Sequence, residues 1–265
     1  MTDDRRPAAS ADDHALAARL ATEAGDLLVA LRRRAVADSE ATGDPVDGKA
    51  LGAAGDRQAH ELLMAGLAAA RPGDAVLSEE GVADPARLSA ERVWIVDPLD
   101  GTREYGEVPR EDWAVHVALV VGGEPVAGAV ALPARGLTLA TQPAPPTPPA
   151  WAGPPRVVVS RSRPPAEATL IADALGGELV TLGSAGAKTM AVVLGDANVY
   201  PHSGGQYEWD SAAPVAVAAA AGLHVSRLDG SPLVYNRPDP YLPDLLVFRA
   251  DLADRAIAAA AGRAG

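Results

Sequence analysis

The chain has 265 residues, a net charge of −12 and a pI near 4.8, enough for one large domain or two compact lobes with an ample core. That acidity argues against nucleic-acid polymers and anionic membrane surfaces as partners. The absence of cysteine excludes disulfides, thiolate zinc sites and cysteine nucleophiles. The opening MTDDRRPAAS has no apolar signal-peptide core, and no unbroken apolar run reaches ~18 residues, so the expected location is cytoplasmic. A first helix, capped by Asp12 or Asp13, is predicted to run to about Arg34, with Leu16, Leu20, Leu27, Leu28 and Leu31 at roughly helical spacing. Residues 35–55, with four glycines and a proline, read as a loop. Asp56 then reads as the N-cap of a second helix that stops at Pro72-Gly73. A further role for Asp56 at a metal site stays open, because a helix start faces outward.

Residues 75–77 form a short predicted strand ending in Ser78-Glu79-Glu80-Gly81. Adjacent acids of this kind are usually just solvated, but beside the Asp97 and Asp100 pair further on they become a candidate third carboxylate. Residues 93–96 are an apolar run expected to be a strand buried on both faces. Residues 113–121 and 125–132 read as a hairpin over Gly122-Gly123, and 137–141 as one more strand. Residues 142–155 hold seven prolines and divide the chain into an N-terminal lobe (1–141) and a C-terminal lobe (156–265). The second half alternates: strands at 156–160, 178–182, 197–200, 223–225 and 245–249, helices at 165–175, 209–221 and 252–261, and a turn followed by a helix within 183–194. This is the pattern of a layered α/β fold.

The segment VWIVDPLDGTREY (93–105) carries the chemistry. Pro98 restricts its own φ and keeps Asp97 out of the helical region; Gly101 permits a tight turn. Asp97 and Asp100 are therefore held on a rigid corner at a strand's carboxyl end. Two such close anions call for a counter-cation, and an all-oxygen donor set suits magnesium. The amides of Gly101 and Thr102 would then face a phosphate. Asp-Pro and Asp-Gly are also ordinary turn formers. A calcium loop lacks its Glu at the twelfth position. An aspartyl-phosphate mechanism would want acids two apart, whereas these are three apart.

Two later loops stand out. GSAGAK (183–188) follows a strand, opens a helix and holds Lys188, one of only two lysines; its small residues and hydroxyl suit a phosphate, though the Walker spacing is missing. A plain strand-to-helix turn is the competing reading. Asp210, in the loop 204–211, is a helix cap or a further carboxylate reaching the corner.

LSEE (77–80), WIVDPLDGTREY (94–105) and EWDSAAPVAVAAAAG (208–222) resemble, in order and spacing, the signatures of the inositol-monophosphatase superfamily. AGDRQA (54–59), PGDAVLSEE (72–80), DWAVH (112–116), GSAGAK and residues 226–246 are similar to its CysQ branch, the 3′-phosphoadenosine 5′-phosphate phosphatases, in their actinobacterial form. The resemblance implies an αβαβα sandwich and a magnesium-dependent, lithium-sensitive phosphomonoesterase of sulfur metabolism. Glu79, Asp97 and the Leu99 carbonyl would hold one magnesium, and Asp97, Asp100 and Asp210 a second. Asp56 would support a third, weaker ion and, with Thr102, orient the attacking water. Gly101 and Thr102 would bind the phosphate being cleaved. Lys188, Ser184 and Arg161 would meet the second phosphate or the base of a small anionic nucleotide. A homodimer is compatible with this picture. His116 and His202 are expected to be structural or rim residues. Rival readings are the same chemistry on inositol 1-phosphate, fructose 1,6-bisphosphate or histidinol phosphate, and a non-catalytic metal-binding regulator on the same scaffold.

Overall fold

The computed structural model describes residues 9–82 and 84–260. Helix α1 (Ala11–Thr42) is capped by Ser10, not by Asp12 or Asp13. Asp13 instead closes a capping box, and it also takes Arg71 and Arg92 at 2.9 Å each. The helix runs eight residues past the predicted Arg34 and stops at Gly43, whose φ of +79° is the left-handed termination glycine tolerates.

Helix α2 (Gly48–Ala70) starts from the N-cap Asp47, inside what reads from sequence as a loop. Its glycines are packing positions rather than breakers. A Cβ at Gly48 would lie 2.6 Å from the Gly106 carbonyl oxygen, and one at Gly52 would lie 2.7 Å from Thr102 Cγ2. The glycine face lets α2 touch the short helix α3 (Thr102–Gly106). Asp56 is therefore in the helix interior, on a turn aimed at Thr102, and is not an N-cap.

Strands β1 (Ala75–Ser78), β2 (Arg92–Asp100), β3 (Ala114–Val121), β4 (Glu124–Leu132) and β5 (Leu137–Ala140) form one sheet in that order. Only β1–β2 is parallel. The predicted hairpin is present, its turn made by Gly122 and Gly123 at φ +59° and +84°. The second sheet, ordered β7-β6-β8-β10-β9, contains β6 (Arg156–Ser160), β7 (Glu178–Leu182), β8 (Val199–Tyr207), β9 (His224–Ser226) and β10 (Tyr241–Phe248). β8 and β10 are longer than their apolar stretches, because they pair through the polar segment 203–207. Ladder hydrogen bonds, not side-chain pattern, define those residues as strand.

Helices α1 and α2 cover the outer face of the first sheet. Helices α5 (Ala185–Val193) and α6 (Glu208–Ala220) lie between the sheets, and α4 (Ala166–Leu175) and α7 (Ala253–Ala260) cover the second sheet. Ala261, the last residue of the predicted final helix, lies outside the described residues. The order is the expected αβαβα sandwich. The middle core draws on both halves of the chain: Leu77, Val93 and Val130 pack with Val158, Met190 and Val247. This layer carries the α5 and α6 N-termini toward the Asp97 corner.

Candidate active site

The last residues of β2 build the corner. Residues 93–96 are buried on both faces, so the strand cannot slide without exposing them. The β2–β3 register pairs Asp97 with His116 and slips before Asp100 pairs with Ala114. Asp97 Oδ1 accepts the Leu99 amide at 3.0 Å. Gly101, at φ +87°, turns the chain into α3. A Cβ there would lie 3.1 Å from that of Ser184 and 3.3 Å from the Asp112 carbonyl oxygen.

Three elements bring further carboxylates to this corner. The parallel register aligns Ser78 with Val96, which places Glu79 beside Asp97, close enough for each carboxyl to perturb the other. From the other half of the chain, Asp210 enters on the first turn of α6, its Oδ2 accepting the Tyr207 amide at 2.7 Å. One oxygen each of Asp97, Asp100 and Asp210 lies within 4.8 Å of the others. Asp56 reaches from α2, with Thr102 Oγ1 3.3 Å from its Oδ1 and 3.2 Å from the Leu99 carbonyl oxygen.

Asp100 is held differently from its neighbours. Its Oδ2 accepts the Ser184 hydroxyl at 2.5 Å and the Gly186 amide at 2.6 Å, and its Oδ1 accepts the Ala185 amide at 3.1 Å. His116 Nε2 lies 3.2 Å from Oδ2. The carboxylate thus sits on the N-terminus of α5, where amides and dipole favour negative charge. Burial works against ionisation, but His116, Ser184 and Lys188 outweigh it and hold Asp100 at about 2. Burial first, then neighbouring charge, pushes Glu79, Asp56 and Asp210 up to about 7. The same causes put Asp97 well above the usual carboxylate range. One anchored anion is therefore ringed by carboxyls that resist ionising together. An all-oxygen donor set with this charge conflict fits a hard divalent cation, which would relieve the repulsion.

His116 does more than the sequence suggests. It is fully buried, and its Nδ1 lies 3.0 Å from the Trp209 carbonyl oxygen. A carbonyl only accepts, so Nδ1 carries a proton; Nε2 faces Asp100, and although burial opposes it, the Asp100 charge raises the ring above its ordinary value and favours a proton there too. A Cβ on Gly186 would lie 2.1 Å from Nε2, so this glycine makes room for the ring. No local pattern marks it: the β2–β3 register puts His116 opposite Asp97.

Three residues expected to meet substrate are placed otherwise. Lys188 is buried, and its ammonium donates to the Gly183 and Ser184 carbonyls at 2.6 Å each. Burial pushes it down to about 8, against the opposing charge of Asp100 and Glu104. It braces its own turn from beneath. Ser184 spends its hydroxyl on Asp100 and accepts the Ala187 amide at 2.9 Å. Arg161 is held by Glu104 at 2.9 Å and Glu107 at 2.7 Å. His202 is away from the carboxylates, its Nε2 2.8 Å from the Gly204 carbonyl oxygen.

Sandwich and carboxylate cluster together define a class of metal-dependent αβαβα proteins. The chain belongs to the inositol monophosphatase family, whose sequence profile matches residues 12–144 and 156–262. It is 51% identical to the 3′-phosphoadenosine 5′-phosphate phosphatase of Mycobacterium leprae (strain TN), over 95% of this chain and 94% of that protein. It is 36% identical to the 3′(2′),5′-bisphosphate nucleotidase CysQ of Escherichia coli (strain K12), over 71% of this chain and 81% of that one. Among solved structures, CysQ from Bacteroides thetaiotaomicron, a bacterial member of the family, superposes with a TM-score of 0.75 at 29% identity, covering 90% of this chain and 97% of that one. Among the described residues no helix is long and apolar enough to cross a membrane.

Proposed function

We propose that the protein is a magnesium-dependent phosphomonoesterase that removes the 3′-phosphate of 3′-phosphoadenosine 5′-phosphate, giving AMP, as part of sulfur assimilation. One observation carries the reading: carboxylates from four separate segments, Asp56, Glu79, Asp97 with Asp100, and Asp210, converge on one corner. The mycobacterial relative, similar along nearly the whole chain, supports the substrate.

Glu79, Asp97 and the Leu99 carbonyl would hold one magnesium, and Asp97, Asp100 and Asp210 a second; Asp56 would support a weaker third. Bound there, divalent cations supply charge that neutralises phosphate oxygens and makes a water molecule acidic. The chain's own residues do the rest. The Gly101 and Thr102 amides, at the start of α3, would donate to the phosphate being cleaved. Asp56, bonded by the Thr102 hydroxyl, would take a proton from the attacking water. Thr102, between Asp56 and the Leu99 carbonyl, orients the water that loses it. Ser184 and the α5 amides keep Asp100 fixed. The 142–155 connection links the lobes 1–141 and 156–265; the Pro148 carbonyl accepts Arg249 at 3.2 Å.

Phosphate release in magnesium from 3′-phosphoadenosine 5′-phosphate, inositol 1-phosphate and fructose 1,6-bisphosphate tests the proposal. The nucleotide should lead on kcat/KM, and Asp210→Asn should lose at least about 100-fold, direct ligands costing no less than the groups that orient them. Preference for a sugar phosphate would refute the substrate. An Asp210→Asn variant as fast as the parent would refute the site, and no release from any compound would point to a non-catalytic metal-binding protein.

A further inference from the structure

The second sheet ends, beside Asp210, in a rim that the catalytic reading leaves without work. The Tyr207 amide is one hydrogen bond from the Asp210 carboxylate, yet the Tyr207 ring is 41% exposed. It stacks on Trp209 at 4.9 Å with an interplanar angle of 9°. Tyr241, 39% exposed, meets it edge-on at 5.8 Å. With only four Trp, five Tyr and one Phe in the chain, three aromatic rings gathered on one rim need a cause. Burial is not it, because two of the rings stay in water. Each ring braces the next, so the surface is ordered in advance and costs little to bind against.

The rim continues to a cation. The Tyr241 hydroxyl accepts the Gly205 amide at 3.3 Å. Gly204 and Gly205, at φ +72° and +74°, turn the chain there. A Cβ on Gly205 would lie 3.3 Å from Arg163 Nη1. Arg163 is exposed and makes no ion pair among the described residues. The neighbouring acid, Glu167, is bonded by Ser203 Oγ at 3.0 Å. Lys188 and Arg161 are already spent on partners of their own, whereas Arg163, against the Gly205 turn, is free of any ion pair among the described residues.

We infer that Tyr207, Tyr241 and Arg163 form the subsite for the part of a nucleoside bisphosphate that is not cleaved: the ring surface stacks the base, and Arg163 pairs with the second phosphate. The inference rests on the nucleotidase reading and adds to it the residues that read the nucleotide. Every base has a π-face that an aromatic ring can stack, and a guanidinium matches phosphate geometry. A sugar phosphate offers neither a base nor, in inositol 1-phosphate, a second anion. The rim therefore separates nucleotides from polyol phosphates. Trp209 positions Tyr207 from behind.

The test is steady-state phosphate release by the full chain in magnesium, on adenosine 3′,5′-bisphosphate, adenosine 3′-monophosphate and a base-free ribose bisphosphate. Tyr207→Leu should lower the preference for the adenosine compound over the base-free one about 10-fold, chiefly through KM. Tyr207→Trp should retain that preference. Arg163→Gln should lower the preference for the bisphosphate over the monophosphate about 10-fold, and Arg163→Lys should recover part of it. Both residues are exposed, and an unshifted thermal midpoint verifies that each variant folds. Variants that keep both parental ratios within about twofold overturn the inference while leaving the nucleotidase reading intact. A parent that releases no phosphate from either nucleotide overturns that reading, and the inference with it.

Discussion

Ser184→Ala removes one hydroxyl that makes two buried hydrogen bonds, to Asp100 at 2.5 Å and from the Ala187 amide at 2.9 Å. The second is an N-cap bond of α5, and losing such a cap costs about 1 kcal/mol. The first is charge-assisted, and bonds of that kind are worth about 1.5–3 kcal/mol. Asp100 keeps the Ala185 and Gly186 amides and His116, so the lower part of that range applies. The sum is about 3 kcal/mol. For a chain of this size it corresponds to a fall of about 8 °C in thermal midpoint. Urea denaturation and calorimetry, both without metal, measure it. The Asp100 carboxyl should also titrate higher and magnesium should bind more weakly, since a stabilising donor has gone. A loss below about 1 kcal/mol, with unchanged magnesium affinity, would refute the claim that this hydroxyl anchors the carboxylate.

Other expectations follow from the same contacts. In a chelator, lowering the pH from 7.5 to 6 should raise the thermal midpoint. Glu79, Asp56 and Asp210 have folded pKa values near 7 against about 4 unfolded, so they penalise the fold when ionised, and the penalty fades as pH falls through 7. Magnesium should stabilise more at pH 7.5 than at pH 6; an equal gain at both would contradict the crowding of carboxyls. Asp13→Asn should cost about 3 kcal/mol in urea, because a buried anion serving two arginines and a helix cap is lost. Burial opposes ionisation of Asp13, but Arg92, Ser10 and Arg71 hold its pKa well below the usual range. Its contribution is therefore present above about pH 4 and fades as pH drops toward the folded value; a variant with the parent's acid limb would contradict this. Gly48→Ala should destabilise by about 1–3 kcal/mol, since its Cβ meets a backbone carbonyl at 2.6 Å. Gly73→Ala, with open space around it, should be neutral or slightly stabilising, and equal costs at both positions would show that α2 does not approach α3 so closely.

Much of this protein is local information. The buried strand before Asp97, the Gly-Gly hairpin and the alternation of the second half are set by residues within a few positions of one another, so patterning alone determined them. So did the Asp97–Asp100 corner, where Pro98 and Gly101 restrict the backbone whatever surrounds it. Other features were decided only by tertiary structure. Gly48, Gly52 and Gly55 look like loop until α3 packs against them, and that contact is what makes Asp56 a mid-helix residue facing Thr102. Lys188 and Arg161 look available until their partners, two carbonyls and two carboxylates, fold against them. His116 looks like an ordinary strand residue until α5 brings Gly186 and Asp100 to its ring. In each case the partner lies far along the chain, and a charge or a glycine acquires its role from what it finally touches.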